Sequence, residues 1–207
     1  MASQMGFAKN YREADLTFDA DGIYWVNPED NETYQVMMGW EQPIMDKMAE
    51  LCVAEGDDVL EIGFGMGILS DAIQLKKPKS HTIVECHKDI IPKLKEWAKD
   101  KSNVIIIEGL WTEVLDKYGK YDCILQDTYG DEYRHALRAI VERHSKSTCK
   151  VSYWNNESNL GFDEVEHHDV SVNPPDNKYY TKDIYKVPLV NYKSWLYQHQ
   201  ERYQWAR

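Results

Sequence analysis

Two acids stand where they could handle a proton together. Asp127 closes the apolar run of "YDCILQDTYGD", and Glu41 precedes Pro43 in "VMMGWEQPIM". A carboxylate at the carboxyl end of a buried strand can orient a nitrogen nucleophile and accept its proton. The same Asp can equally cap the helix that follows. Glu41 alone reads as a first-turn acid favoured by the helix dipole. A helix carrying Glu41 over the cleft would set it opposite Asp127.

A second group surrounds "VLEIGFGMGIL", where Glu61 is followed by Gly63, Gly65 and Gly67. Glycine permits a tight turn and lets a ligand reach the backbone without meeting a Cβ. Glu85 ends "HTIVEC" roughly twenty residues later, where the acid of a nucleotide-binding unit accepts from ribose hydroxyls. The G-x-G-x-G spacing differs from the dinucleotide fingerprint. Glu61 would repel a pyrophosphate but can hold an ammonium. The net charge of −11 also suits a cationic ligand. These features point to S-adenosylmethionine rather than NAD, and to methyl transfer rather than hydride transfer.

These residues need strands to end at one edge, and the chain supplies them. Strands are expected at "DVLEIG", "HTIVEC", "NVIIIEG", "YDCILQD" and "TCKVSYWN". Between them lie helices over 66–76, 88–98, around 111–118 and over 132–144. Before the first strand, Met45, Met48, Ala49 and Cys52 recur at helical spacing, Pro43 suits a first turn, and Gly56 ends the pattern. Such alternation predicts an α/β fold with a doubly wound, mainly parallel sheet. The stretches "EVEHHDVSV" and "KYYTKDIYKVPLVNY" alternate like strands with no helix between them, and predict an antiparallel C-terminal edge. "NPPD", residues 173–176, reads as a turn between those strands. Residues 1–35 show no clear period and read as an arm or lid with at most one short helix. Residues 36–190 form the ligand-binding domain. Residues 191–207 form a tail whose aromatics suit packing on the body or on a second copy of the chain.

The bulk numbers exclude several classes. The chain has 207 residues, 43% hydrophobic and 12% aromatic, enough for one sizeable core. Its acidity argues against a nucleic-acid partner, which needs clustered Lys and Arg. The four cysteines are far apart, and most sit in apolar runs. They read as reduced thiols rather than a disulfide framework or a metal site. No run is long enough to span a bilayer and no leader is evident, so a cytoplasmic location is expected.

Taken as a set, "VMMGWEQPIM", "VLEIGFGMG", "HTIVECHKDIIPKLKEW", "IIEGLW" and "YDCILQDTYGD" resemble guanidinoacetate N-methyltransferase. They look equally like the catalytic domain of the fungal protein-arginine δ-N-methyltransferase of the same group. "YYTKDIYKVPLV" is similar to that group's final strand. The resemblance implies a Rossmann-like class I methyltransferase with S-adenosyl-L-methionine as cofactor and no metal. It implies that Phe64, Gly65, Met66, Gly67, Ile68 and Leu69 wrap the methionine part and that Met45 touches the cofactor. Glu85 would hold the ribose, with Cys86, His87, Trp111 and Thr112 around the adenine. Glu41 and Asp127 would clamp a guanidinium, with Met37 and Tyr129 close by. Asn156 and Glu157 align with the segment that binds the substrate carboxylate, where a Glu side chain would repel it unless turned away. The expected activity is N-methylation of a small guanidine such as guanidinoacetate. The alternatives are methylation of a protein arginine and a non-catalytic cofactor- or partner-binding module.

Overall fold

The computed structural model describes residues 9–129, 136–154, 159–177 and 179–193. Helical residues 9–13 lead into β1 (Thr17–Phe18), β2 (Gly22–Asn27) and β3 (Glu32–Met38). A short 3-10 turn, Gly39–Glu41, opens onto α1 (Gln42–Cys52). Then follow β4 (Asp58–Ile62), α2 (Ile68–Leu75), β5 (Ser80–Glu85), α3 (Ile91–Ala98), β6 (Val104–Glu108) and β7 (Tyr121–Gln126). The chain continues through α4 (Leu137–His144), β8 (Ser145–Tyr153), β9 (Glu166–Ser171) and β10 (Ile184–Lys193).

The main sheet has seven strands in the order β6-β5-β4-β7-β8-β10-β9. β4 pairs in parallel with β5 and β7, β5 with β6, and β7 with β8. β10 runs antiparallel to both β8 and β9, which is the antiparallel edge expected from the sequence. The order reverses beside β4: the chain winds outward through β5 and β6, then returns to lay β7 on the other side. The crevice at such a reversal is where open α/β sheets bind ligands. Ile62 and Gln126 are register partners, so the residues that leave β4 and β7 emerge side by side.

α1 covers one face through Ile44, Met45, Met48, Ala49 and Cys52, all essentially without exposed surface. Each such aliphatic or Met side chain contributes roughly 1.5–3 kcal/mol by leaving water. Tyr185, Val187 and Leu189 of β10 join the same cluster, so the edge strand is fastened to the body by apolar burial as well as backbone pairing. The cysteines are all free: Cys52, Cys123 and Cys149 are buried and Cys86 is half-buried. No helix among the described residues is long and apolar enough to cross a membrane.

The largest departure from the sequence reading is at the N-terminus. Residues 17–38 form a three-stranded antiparallel sheet, not an unpatterned arm, and β3 crosses the boundary expected at residue 35. Its second hairpin turns at Asn27–Asn31. The Asn27 side chain accepts from the Glu29 N–H, and Asn31 takes φ +57, which Asn tolerates better than most residues. The local alternation is visible after the fact, since Trp25 is 1% exposed and the adjacent Val26 is 52% exposed. Elsewhere, the helix expected around 111–118 shrinks to the 3-10 turn Leu115–Lys117. α3 starts at Ile91 and not at 88, with Pro92 in its first turn. The tail from 194 onward lies outside the described residues.

Candidate active site

The glycine loop leaves β4 between two neighbouring strand ends. The Gly63 N–H donates to the Val84 carbonyl on β5, and the Asp127 N–H donates to the Ile62 carbonyl, both at 2.9 Å. Gly63 has φ +92, and a Cβ there would lie 1.9 Å from the Asp127 carbonyl oxygen. Gly65 has φ +55, and its Cβ would lie 2.5 Å from the Met37 Sδ. The close approach that the glycines invite is therefore made first by the protein itself. β7 and β3 press against the loop, and Met37 is seated on it, with its Sδ accepting from the Met66 N–H at 3.2 Å.

Glu85 fixes the loop to β5. Its Oε1 accepts from the Cys86 and His87 N–H groups, both at 2.8 Å, and its Oε2 accepts from the Phe64 N–H at 3.0 Å. A carboxylate offers about four lone-pair sites, so roughly one remains for a ribose hydroxyl. His87 in turn holds the N-terminal segment. Its Nδ1 accepts from the Asp89 N–H, which places the ring proton on Nε2, and Nε2 donates to the Tyr11 carbonyl at 3.1 Å.

Tyr11 is 5% exposed and packs on His87, Trp25 and Tyr129 with ring centroids 5.0, 5.9 and 4.8 Å away. Its phenol is held well above the usual range by burial, and further by the charges of Glu85, Asp127 and neighbouring groups. Tyr11 thus covers the cleft beside both acids. No periodic signal marks Tyr11 in the sequence, and it is absent from the expected site residues. Trp25 joins it, its indole N–H donating to the Tyr129 hydroxyl at 3.2 Å, whereas Phe18 lies under the Lys93 ammonium.

Glu41 stands close enough to Asp127 to feel its charge. Glu41 ends the 3-10 turn ahead of α1 and is 3% exposed. Its Oε1 accepts from the Met38 N–H at 2.7 Å and from the Tyr179 hydroxyl at 2.6 Å. Burial and then the charge of Asp127 raise its pKa to about 8, against the lowering effect of those two donors. Asp127, half-buried at the end of β7, is raised to about 7 by burial and by the charges of Glu61 and Glu85. No Lys or Arg pairs with either among the described residues. The two acids thus lie together with no cation beside them among the described residues, and a bound cation would draw both pKa values down.

Other expected contacts fall differently. Glu61 has no exposed surface: its Oε2 accepts from Ser70 Oγ at 2.6 Å and pairs with His81 Nε2 at 2.7 Å. Its buried Oε1 has no donor among the described residues. Met45 and Leu69, 0% and 1% exposed, pack in the core beneath the loop and not along it. Gly63, Gly65, Met66, Ile68, Cys86 and Thr112 keep partial exposure, while Phe64, Gly67 and Trp111 are buried. Asn156 and Glu157 lie outside the described residues. No cluster among the described residues could hold a metal ion. The donor set fits S-adenosylmethionine: a partly exposed glycine loop at the strand reversal, a pinned carboxylate with acceptor capacity left for a ribose, and acidic surroundings for a cationic ligand.

Comparison with known proteins gives the family and the fold. The family model for guanidinoacetate N-methyltransferase matches residues 31–161. Protein arginine N-methyltransferase 2 of Candida glabrata is 38% identical over 138 residues, covering 61% of this chain and 32% of the relative. The protein of the same name in Emericella nidulans is 31% identical over 170 residues, covering 79% and 38%. The chain thus spans about a third of the length of these curated relatives. Among solved structures, a spermidine synthase in complex with the transition-state analogue AdoDATO superposes with TM-score 0.59 at 11% identity, over 86% of this chain and 71% of that one. TYW2 of M. jannaschii in complex with AdoMet gives 0.57 at 14%, over 85% and 84%. At such identities these two likenesses establish the fold alone.

Proposed function

Because the chain belongs to the guanidinoacetate N-methyltransferase family, we propose that it is an S-adenosylmethionine-dependent N-methyltransferase of a guanidino group, with arginine side chains of proteins as its substrates. The observation that carries the guanidino reading is the pair Glu41 and Asp127, two neighbouring carboxylates of raised pKa with no cationic side chain paired to either among the described residues. A planar guanidinium offers several N–H donors to such a pair and stays charged at any ordinary pH. The names of the two relatives compared above, both protein arginine N-methyltransferase 2, support arginine over a free guanidine. One observation favours the second reading, a small guanidine. The N-terminal segment packs Tyr11 against Trp25 and Tyr129 beside the acids and narrows the way in for a folded protein.

The chemistry follows from charge placement. A guanidinium nitrogen is a poor nucleophile because its lone pair is delocalised. Glu41 binds N–H groups of the non-reacting nitrogens and localises positive charge there through charge-assisted bonds. Asp127 accepts the proton of the reacting nitrogen, which recovers its lone pair. The cofactor, when bound, supplies an electrophilic methyl on a sulfonium. Tyr11, Trp25 and Tyr129 exclude water, so the two carboxylates act in a medium where hydrogen bonds to charge are stronger. Holding the partners in line removes much of the entropic barrier.

The test is transfer of labelled methyl from S-adenosylmethionine to an arginine-containing protein, an arginine peptide, guanidinoacetate, agmatine and free guanidine. Label in protein or peptide, lost in Asp127→Asn, is the expected result. Label in guanidinoacetate alone would overturn the arginine reading, and no label in any would overturn the guanidino reading.

A further inference from the structure

The two acids and the glycine loop all lie within the family match, but one group touching them does not. Tyr179 sits beyond residue 161, in the loop that joins β9 to β10, and its hydroxyl donates to Glu41 Oε1 at 2.6 Å. The two residues are 138 positions apart in the chain.

That loop is built to hold its shape. The Val172 N–H donates to the Asp183 carbonyl at 2.9 Å and closes its base. Inside, the Asn177 side chain uses its whole hydrogen-bonding capacity. Its Oδ1 accepts from the Tyr179 and Tyr180 N–H groups at 3.0 and 2.7 Å. Its Nδ2 donates to the Pro175 and Tyr180 carbonyls at 2.8 and 2.7 Å. Asn177 is 8% exposed, so these bonds are shielded from water. The Tyr180 hydroxyl adds a bond to the Ile184 carbonyl. The Tyr179 ring is then stacked on Trp40, the residue before Glu41, at 5.9 Å and 28°. Trp154, at the end of β8, meets both rings edge-on.

We propose that Tyr179 is a positioning residue for the substrate clamp, tying Glu41 down by Oε1 so that Oε2 is left to meet the guanidinium. This rests on the guanidino reading above. Two donors, the Met38 N–H and the Tyr179 hydroxyl, fall on Oε1, and none among the described residues falls on Oε2. A carboxylate tied in this way cannot rotate, and its free oxygen is the one left for a ligand. The loop carrying "NPPD" thus has a task in the site, which its reading as a plain turn did not assign.

The groups that act on Glu41 are few. Asp127 opposes its ionisation from the end of β7, and the Met38 N–H and the Tyr179 hydroxyl favour it. The phenol of Tyr179 is itself held far above its usual range, by burial first and then by Glu41, so it remains a donor at every working pH. Removing the hydroxyl while keeping the ring leaves the Trp40 stack intact and withdraws one bond from the charged form. A hydrogen bond to a charged group of this kind is worth a shift of about one to two pH units.

The experiment is the pH profile of kcat/KM, with an arginine peptide as the probe, for the wild type, Tyr179→Phe and Glu41→Gln. The expected result is an acid limb moved up by about one to two units in Tyr179→Phe. At pH 7 that is a roughly ten- to hundredfold loss, narrowing to about fourfold or less by pH 9.5. A purely structural role would lower the whole profile by one factor, and that outcome, or no change, would overturn the proposal. Glu41→Gln separates the two levels. Wild-type activity in that variant would overturn the clamp itself, whatever Tyr179 does. A carbon-13 titration of the Glu41 carboxyl in wild type and Tyr179→Phe reads the same effect without turnover. An unchanged midpoint would overturn the proposal.

Discussion

Binding of a guanidinium to this site should expel protons from Glu41 and Asp127, because both acids are held above the usual carboxylate range. The pKa values of Glu41 and Asp127 stand at about 8 and about 7. At pH 7 that leaves Glu41 roughly nine-tenths protonated and Asp127 roughly half. A guanidinium between them requires both ionised, so binding at pH 7 releases about 1.4 protons in all. The affinity follows the product of the two ionised fractions. From pH 8 to pH 6 the Glu41 fraction falls from about 0.5 to about 0.01 and that of Asp127 from about 0.9 to about 0.1, a roughly 500-fold loss of affinity. At about 1.4 kcal/mol per tenfold this is close to 4 kcal/mol. Calorimetric titration of an arginine peptide into the protein saturated with S-adenosylhomocysteine measures both quantities. The dissociation constant is read at pH 6, 7 and 8, and the proton count is read at pH 7 from buffers of different ionisation enthalpy. In Glu41→Gln the release should fall to about half a proton, the share of Asp127. An affinity equal at pH 6 and pH 8, with no dependence on buffer, would refute the reasoning, because the acids would then not contact the bound cation in ionised form.

Three further outcomes follow from the same geometry. Asp127→Asn should keep S-adenosylhomocysteine binding by calorimetry within a few-fold, yet lower turnover by a factor on the order of 10²–10⁴, the usual range for a lost proton acceptor; near-wild-type turnover would remove Asp127 from the mechanism. Because the folded pKa of Glu41 lies above its ordinary value of 4.5, its ionisation works against folding. That cost is absent below about pH 4.5 and grows as pH rises towards 8. Glu41→Gln without ligand should therefore be more stable than wild type at pH 8, by at least about 1 kcal/mol in urea unfolding, with the advantage gone near pH 4.5. Gly63→Ala combines a left-handed backbone with a Cβ 1.9 Å from the Asp127 carbonyl oxygen. A loss of about 2–5 kcal/mol is expected, seen as a melting temperature lower by roughly 5–15 °C.

The sequence by itself determined the parallel core, and the reason is local. Strands buried on both faces are written as short aliphatic runs such as "DVLEI" and "YDCILQ". Positive φ at Gly63, Gly65 and Gly67 demands a residue without Cβ. An acid at a strand's end, such as Glu85 or Asp127, is then placed at the cleft by strand length alone. Tertiary structure decided what those acids touch. Glu61 and Glu85 differ little as strand-end acids. Yet Ser70 and His81 enclose the first, whereas three backbone N–H groups leave the second with capacity for a ligand. The N-terminal sheet escaped the pattern because most of β3 is exposed or half-buried, so its side chains carry little apolar alternation. Tyr11 over the cleft and Tyr179 on Glu41 were out of reach for a different reason. Each meets its partner, His87 and Glu41 respectively, across 76 and 138 positions. No local spacing encodes such a meeting; it exists only once the sheet has brought its strand ends together.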